Sequence, residues 1–234
     1  MFKYSINIIF LLVCTLVYSQ EQAMEVAAIE KDSTVYKTAY GLRLGADISK
    51  PIMASFDSKY SGIELVADYR INKRFYIAAE VGFEKKVSVE DYTNSTSKGN
   101  YIRIGFNYNA YDNWLDMNNE VFTGVRYGLG FFDQTLNSFT PNVNSLYFPS
   151  ESINAATSTN GLKAHWTEFI LGIKVETFQN LFISTSISYK IVLAIDDPEN
   201  FKTLYAPGFN RIFESGTGFG FNYTLSYLIP FSKK

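Results

Sequence analysis

The sequence of 234 residues contains only one cysteine, Cys14, and one histidine, His165. Cys14 lies in an N-terminal apolar segment that we expect to be removed after export. The mature chain would then contain no thiol, which excludes disulfides, thiolate metal sites and cysteine catalysis. Cys14 also follows Val13, where a lipoprotein site needs a small residue, so we predict no lipidation.

Charge is scarce and nearly balanced, with 21 Lys and Arg against 23 Asp and Glu. The chain has no excess of basic residues to form a nucleic-acid-binding face, so nucleic acid is excluded as a partner. Aromatic residues are abundant, at 17% of the chain. So high an aromatic share with so little charge is unusual for a soluble protein, and the length fits one barrel or sandwich domain.

The N-terminus has the features of a cleaved signal peptide spanning residues 1–19. Lys3 supplies a positive charge, residues 8–17 are apolar, and Val17-Tyr18-Ser19 fits a cleavage site. The apolar stretch is shorter than the roughly 20 residues that a transmembrane helix needs. We therefore predict export, followed by a periplasmic lead-in over residues 20–36 and a barrel over residues 37–234.

From Tyr40 onward, apolar residues alternate with small or charged ones. Tyr40 and Leu42 share one face of the first predicted strand, and Gly41 and Arg43 share the other. The same pattern recurs near residues 63–71, 75–83, 102–108, 121–131, 169–175, 181–191 and 219–231. The sequence therefore predicts eight antiparallel strands.

The predicted connections alternate in length. Those near residues 72–74, 109–119 and 177–180 are short or intermediate, whereas those near 49–61, 87–99, 133–161 and 193–215 are long and polar. This alternation is typical of an outer-membrane barrel with short periplasmic turns and long external loops.

Alternation alone does not identify the outward face, because a soluble lipocalin-like barrel has the same period with its apolar face inward. The glycines identify the polar face as the inward one. They lie on that face, and the interior of an eight-stranded barrel is so narrow that many of its residues must be small. The apolar face also carries many bulky rings, among them Tyr69, Phe106, Tyr127 and Phe169. We therefore expect the apolar face to contact lipid.

The predicted interior contains charges that nearly cancel. Its members are Arg43, Asp47, Glu64, Asp68, Arg70, Glu80, Glu84, Arg103, Arg126, Glu168, Lys174, Glu176 and Lys190. Buried charges persist when they are paired and hydrogen-bonded, so we predict a salt-bridge network that fills the barrel. The alternative is a narrow polar path that opens when a pair such as Arg126 with a lumenal glutamate rearranges.

Candidate chemical sites are few. His165-Trp166-Thr167-Glu168 resembles the His-x-Ser motif with a nearby Glu of outer-membrane lipid A deacylases, but Thr replaces Ser and alternation places Glu168 on the opposite face. The stretch Asp196-Asp197-Pro198-Glu199-Asn200 has oxygen ligands that suit calcium, although we interpret it as a solvated acidic loop. We therefore predict no catalytic site, no metal and no cofactor.

Two of the predicted loops contain aromatic and aliphatic residues among polar ones. The first includes Phe139, Leu146, Tyr147 and Phe148, and the second Phe201, Leu204, Tyr205, Phe209, Ile212 and Phe213. Such clusters predict either an exposed contact site or loops that fold onto the rim of the barrel.

The last predicted strand carries Tyr223, Leu225, Tyr227, Ile229 and Phe231 on one face. It resembles the closing strand of outer-membrane β-barrels, which has aromatics at alternate positions and a final Phe near the terminus. Here Ser232-Lys233-Lys234 follow that Phe. The resemblance implies that these five residues form the signal recognised by the outer-membrane assembly machinery.

From about residue 37 the chain resembles the OmpA/OmpX-like class of small eight-stranded outer-membrane barrels, particularly those of Bacteroidetes. This resemblance implies an all-β, eight-stranded antiparallel up-and-down transmembrane β-barrel with a structural or accessory role. The expected partners are outer-membrane lipid, the assembly machinery during insertion, and another outer-membrane protein or lipoprotein bound through the loops or wall. A lipid-modifying enzyme and a narrow small-solute channel are the alternatives.

Overall fold

The computed structural model describes residues 39–113, 117–141, 151–199 and 201–233. The predicted signal peptide and lead-in lie outside the described residues. The elements are β1 (Ala39–Asp47), α1 (Ser49–Phe56), β2 (Tyr60–Arg70), β3 (Phe75–Val89), β4 (Thr93–Asn109), β5 (Glu120–Phe139), β6 (Ile153–Phe178), β7 (Leu181–Ile195), β8 (Tyr205–Ala206), β9 (Asn210–Arg211) and β10 (Thr217–Lys233). Among the described residues, no helix has the length and apolar character needed to span a membrane.

Eight long antiparallel strands form a closed ring in the order β1-β10-β7-β6-β5-β4-β3-β2. Strand β10 closes the ring by pairing with β1, with Leu225 opposite Ala46. The two short strands β8 and β9 form a separate hairpin. The prediction of an all-β fold with eight antiparallel strands is confirmed.

The ring has two different ends. At the turn end, β2 is followed by β3, β4 by β5 and β6 by β7, and the described chain begins and ends there. Asn72 stabilises the first of these turns because its side-chain oxygen accepts hydrogen bonds from the backbone N–H groups of Arg74 and Phe75. At the loop end lie α1, residues 90–92, the ends of β5 and β7 and the start of β6.

Three segments predicted as long loops are wholly or partly regular structure. Residues 49–61 contain α1, and β3 and β4 remain paired through Val89 and Asn94. Likewise, β5 and β6 remain paired through Phe139 and Ile153. The loop predictions over residues 87–99 and 133–161 are therefore wrong in extent. These stretches are rich in Ser, Thr and Asn and lack the apolar alternation of the wall, although inward residues such as Ser95, Ser97 and Leu136 are buried.

The two faces of the ring differ sharply in polarity. Outward apolar side chains are widely exposed, for example Leu171 at 59% and Ile187 at 60%, and charged inward side chains such as Arg103 are almost completely buried. Water-soluble domains have the reverse distribution, with Arg and Glu almost never fully buried unless paired. The predicted assembly residues Tyr223, Leu225, Tyr227, Ile229 and Phe231 all lie on the outer face.

Candidate functional site

The predicted charged residues lie on the inner face of the ring, where the structure arranges most of them in three clusters. Three members have neutral partners instead. Asp47 accepts a hydrogen bond from Asn222, and Arg70 donates to backbone carbonyl oxygens in the first turn. The Glu176 carboxylate accepts hydrogen bonds from Asn118 and from the backbone N–H of Asn180.

The central cluster is organised by Arg103 on β4. Its Nη2 atom lies 2.5 Å from Glu64 Oε1 and 2.7 Å from Glu80 Oε2, and its Nη1 atom lies 3.3 Å from Glu168 Oε2. Arg126 adds a second cation, with its Nε atom 3.3 Å from Glu80 Oε1. Strand register produces this cluster, because Glu80 is directly opposite Arg103 and Arg126 is directly opposite Glu168.

A second cluster lies nearer the turn end. Arg43 Nε is 2.5 Å from Asp68 Oδ1, and Arg43 Nη1 is 2.6 Å from Glu120 Oε1. Lys174 Nζ reaches the other oxygen of Asp68 at 2.5 Å. The Arg43 guanidinium also stacks over the ring of Tyr76 at 4.8 Å. Two cations and two carboxylates therefore neutralise one another across the interior.

The third cluster surrounds Glu84 near the loop end. Its carboxylate accepts hydrogen bonds from the hydroxyl groups of Tyr60 and Tyr205 at 3.0 and 2.8 Å, and from the backbone N–H of Gly208 at 2.8 Å. Lys50 of α1 forms an ion pair with the same carboxylate. A single buried acid thus joins β2, β3, α1 and the connection between β7 and β10.

Protonation states in the third cluster follow from its charges. Burial alone would lower the pKa of the Lys50 ammonium, but the carboxylates of Glu84 and Glu64 outweigh burial and raise that pKa above its usual value. Burial, followed by the charge of Glu84, raises the pKa of the Tyr205 phenol well above its usual value. Lys50 therefore stays charged near neutral pH, and the Tyr205 hydroxyl stays a hydrogen-bond donor.

Part of the β7–β10 connection enters the ring. We call residues 203–209 the inserted segment, because Thr203, Tyr205, Ala206 and Phe209 are all buried. The Phe209 ring contacts the indole of Trp166 edge-on, with centroids 5.9 Å apart. The sequence predicts either exposure or folding onto the rim for this loop. Tyr205 and Phe209 are buried inside the ring, whereas Phe213 is exposed. The remaining predicted contact residues, Phe201, Leu204 and Ile212, are half-buried.

The first of the two aromatic loops is only partly described. Phe139 ends β5 and is half-buried. The other predicted contact residues of this loop, Leu146, Tyr147 and Phe148, lie outside the described residues.

Glycines on the inner face make room for large rings. A Cβ atom on Gly128 would overlap the indole of Trp166, and one on Gly82 would overlap the phenol ring of Tyr101. Both rings are almost fully buried. The inner face is therefore glycine-rich because inward aromatic side chains occupy the volume that a Cβ atom at these glycines would need. The sequence pattern alone does not assign this space-filling role to Trp166 and Tyr101.

A small polar cavity of about 50 Å³ separates the central and turn-end clusters. Its walls include Asp68, Glu80, Lys174 and several hydroxyl and amide side chains. Asn107 Oδ1 and Ser226 Oγ line it without a hydrogen-bond partner in the described chain. A volume of this size accommodates a few water molecules, which would satisfy these two buried atoms.

The histidine motif does not assemble a catalytic group. His165 Nδ1 is hydrogen-bonded to the hydroxyl of Tyr127 at 2.6 Å on the outer face. Glu168 lies on the inner face, where it accepts a hydrogen bond from Trp166 Nε1 at 2.6 Å. The outward Thr167 hydroxyl donates to the Arg126 carbonyl oxygen. No His–Thr–Glu triad is formed, because the acid and the histidine lie on opposite sides of the wall.

The acidic stretch that begins at Asp196 uses its carboxylates within the fold. Asp196 accepts a hydrogen bond from the backbone N–H of Lys163, and Asp197 accepts one from Thr203. Asn200 lies outside the described residues. The described part of the chain contains no cluster of three or more His, Cys, Asp or Glu residues suited to a metal ion.

Several polar residues of the interior do not belong to the predicted set, among them Glu120, Lys50 and Tyr205. Glu120 has the same parity as Arg126, so extending the fifth predicted strand by one residue would have found it. Lys50 and Tyr205 lie in segments without alternation. Their inward placement depends on contacts with distant residues, and no local pattern indicates it.

Comparison with curated proteins gives no match to this chain. The model of a family described as a domain of unknown function, DUF6048, matches residues 1–234. The match covers the whole sequence, and the chain belongs to the DUF6048 family.

Proposed function

We propose that the protein is a non-enzymatic outer-membrane β-barrel with a closed interior, acting as a structural protein or as an accessory subunit of a larger membrane assembly. The observation that carries this proposal is the polarity of the ring, with apolar side chains outside and paired charges inside. An up-and-down transmembrane barrel is the arrangement in which both faces of such a sheet are satisfied.

The height of the apolar surface agrees with a membrane span. On β3 the outward residues are apolar from Phe75 to Phe83, with Arg74 before them and Lys85 after them. Nine residues correspond to about 30 Å along a strand, and transmembrane strands use about 9–11 tilted residues. Aromatic side chains occupy both borders, as in the girdles of membrane barrels.

The filled interior supports a closed barrel over a channel. The central and turn-end clusters cross the lumen, and the inserted segment occupies it near the loop end. Eight strands leave an interior that is just wide enough for side chains. Solute transport would require several buried ion pairs to separate together, which is costly because each leaves uncompensated charge.

A projecting ribbon at the loop end supports an accessory role. Strands β5 and β6 continue to Phe139 and Ile153, well beyond the point where β7 stops pairing with Ala164. The β6 residues 153–161 are largely exposed and polar. We propose that this ribbon contacts another outer-membrane protein or lipoprotein, because it offers an exposed polar surface, hydrogen-bonded to β5, beyond the apolar belt.

Membrane fractionation combined with heat-modifiable gel migration tests the proposal. We expect the native protein in the outer-membrane fraction, migrating as a compact species that shifts only after boiling. Recovery as a soluble periplasmic protein would contradict the proposal. Planar-bilayer recordings should show no discrete channel events, and regular unitary events from folded protein would favour the channel alternative.

The proposed partner requires a separate test. Mild detergent extraction of the tagged protein from native membranes should recover a companion at fixed stoichiometry. The matched variant replaces residues 153–161 with a short Gly-Ser connection. Loss of the companion from this variant, with unchanged heat-modifiable migration, would support binding through the ribbon. Altered lipid acylation without any companion would instead favour the lipid-modifying alternative.

A further inference from the structure

Two lysines face each other on the outer wall near the loop end. Lys85 of β3 and Lys98 of β4 are direct cross-strand partners, and both side chains are exposed. Like charges directly opposite one another destabilise a sheet. Among the described residues, no carboxylate lies within ion-pairing distance of either lysine. The pair therefore creates a local positive field that an external anion would neutralise.

This pair lies at the border of the apolar surface. In the next outward row below it, Asn100 pairs with Phe83 on one side and with Phe131 on the other. Lys163 of β6 is the partner of Phe131, so a third exposed lysine flanks the same border. Below this row the outward side chains of β3 and β4 are apolar.

One acid lies beside the pair. Asp133 of β5 is the cross-strand partner of Lys98, and its Oδ1 atom accepts a hydrogen bond from the backbone N–H of Gly161. A fourth exposed lysine, Lys59, precedes β2, and its carbonyl oxygen bonds to Val87 of β3. The border from β2 to β6 therefore carries four lysines. Lys59 and Lys163 each have an aspartate beside them, since Asp57 accepts a hydrogen bond from the backbone N–H of Lys59 and Asp196 accepts one from that of Lys163. Lys85 and Lys98 differ in facing each other directly.

The other border of the apolar surface is different. At the turn end, Arg74 Nη2 is 2.9 Å from Asp112 Oδ2, and Arg74 Nη1 donates to the hydroxyl of Tyr108. This cation already has a carboxylate partner within the chain. Lys73 in the same turn is exposed but does not belong to a cross-strand pair. Among the described strands, two lysines directly opposite each other occur only at the loop end.

We propose that Lys85 and Lys98 bind the phosphorylated headgroup of a membrane lipid whose acyl chains lie against the apolar wall below. The inference rests on the proposed membrane location and adds a ligand class to it. Lysine ammonium groups act as point charges for phosphate, and basic residues near a membrane surface strengthen lipid binding. Phe83 and Phe131 provide the apolar surface directly beneath the headgroup.

Native mass spectrometry of the detergent-purified full chain tests this site. The probes are diphosphoryl lipid A, zwitterionic phosphatidylethanolamine and inorganic phosphate. The variant is Lys85→Gln with Lys98→Gln, and the control is Lys73→Gln, an exposed lysine at the turn end. We expect the native protein to retain lipid A preferentially, the double variant to lose about tenfold or more in affinity, and the control to be unchanged.

Each other outcome would overturn the inference. Equal retention of lipid A by the native protein and the double variant would show that these lysines do not hold the headgroup. Competition by inorganic phosphate without preference for lipid A would indicate an adventitious ion only. Outer-membrane fractionation of the same samples separates the two proposals: a membrane-inserted protein without lipid selectivity contradicts only the lipid site, whereas a soluble protein contradicts the proposed function itself.

Discussion

Glu84 on β3 accepts a hydrogen bond of 2.8 Å from the hydroxyl of Tyr205, a residue 121 positions later in the chain. The same carboxylate binds the N–H of Gly208 and the ammonium of Lys50. A long connection is thereby held inside the ring by one buried acid. Releasing the inserted segment would remove two of the four partners of this buried charge, Tyr205 and Gly208, and leave only Tyr60 and Lys50.

Replacing Glu84 with alanine should loosen the inserted segment. Lys50 would retain only the more distant carboxylate of Glu64, at 3.5 Å, and breaking a buried pair costs about 3–5 kcal/mol. We expect trypsin to cleave at the exposed Lys202 faster than in the native protein. The measurement is a limited-proteolysis time course with fragment masses.

The matched control for this experiment is Glu90→Ala. Glu90 forms an exposed ion pair with Arg211 at 3.2 Å, and exposed pairs contribute about 0–1 kcal/mol. Its cleavage pattern should match that of the native protein. Unchanged cleavage in the Glu84 variant would show instead that the remaining contacts hold the segment, among them Phe209 with Trp166 and Lys190 with the Gly208 carbonyl oxygen.

Replacing Arg103 with leucine should be among the most destabilising single changes in the interior. The substitution leaves the carboxylates of Glu64, Glu80 and Glu168 close together without their shared cation. An uncompensated buried charge costs about 3–5 kcal/mol, and several carboxylates are affected here. The midpoint of urea unfolding in detergent, followed by heat-modifiable migration, measures the effect.

The control for Arg103 is Arg74→Leu at the turn end, since Arg74 and Asp112 form an exposed pair. This change should cost less than about 1 kcal/mol. If Arg103→Leu also unfolds near the native midpoint, then the cluster is hydrated and the interior is less tightly closed than the ion-pair distances indicate.

The strand pattern and the inner positions of the charges were predictable because they depend on local parity. A residue such as Arg43 or Lys174 lies inside because its sequence neighbours are apolar and face outward. The pairing of charges is less accessible from sequence, since Arg103 meets Glu64 and Glu168 only after the strands close into a ring.

The inserted segment could not be predicted in the same way. Tyr205 and Phe209 lie in a stretch without alternation, and aromatic residues in a polar loop are equally compatible with exposure. Phe209 is buried against Gly218, where a Cβ atom would overlap its ring, and Tyr205 is held by Glu84, which is distant in the chain. The extent of β6 was also not predictable, because residues 153–161 are mostly exposed and polar and do not alternate with apolar residues.

Gly128→Ala should destabilise the ring by steric overlap with Trp166. The added Cβ atom would lie within the indole, which is fully buried, and overpacking of this kind costs about 1–3 kcal/mol. Gly130→Ala is the control, because its nearest neighbours would lie 3.3 Å away. Urea unfolding should show a clearly lower midpoint for the first variant and a smaller change for the second.

A compensating substitution distinguishes steric overlap from a backbone effect. Trp166→Leu removes the ring that Gly128 accommodates, so adding Gly128→Ala to it should cost less than in the native background. A double-mutant cycle measures this coupling. Equal costs in both backgrounds would show that alanine at position 128 acts through the strand backbone and leaves the indole undisturbed.

Leu171→Arg tests which face of the ring meets lipid. Leu171 is 59% exposed near the middle of the apolar wall, opposite Ile187 on β7. Arginine at the midplane of a membrane barrel costs about 2–4 kcal/mol, so this variant should insert poorly and lose heat-modifiable migration. The control is Thr157→Arg, at an exposed position of the projecting ribbon beyond the wall, which should insert normally.

If the protein were soluble, the arginine that replaces Leu171 would face water, and the variant would fold normally or be more soluble. Normal folding of Leu171→Arg would therefore contradict a lipid-facing wall, whereas selective failure of that variant supports it.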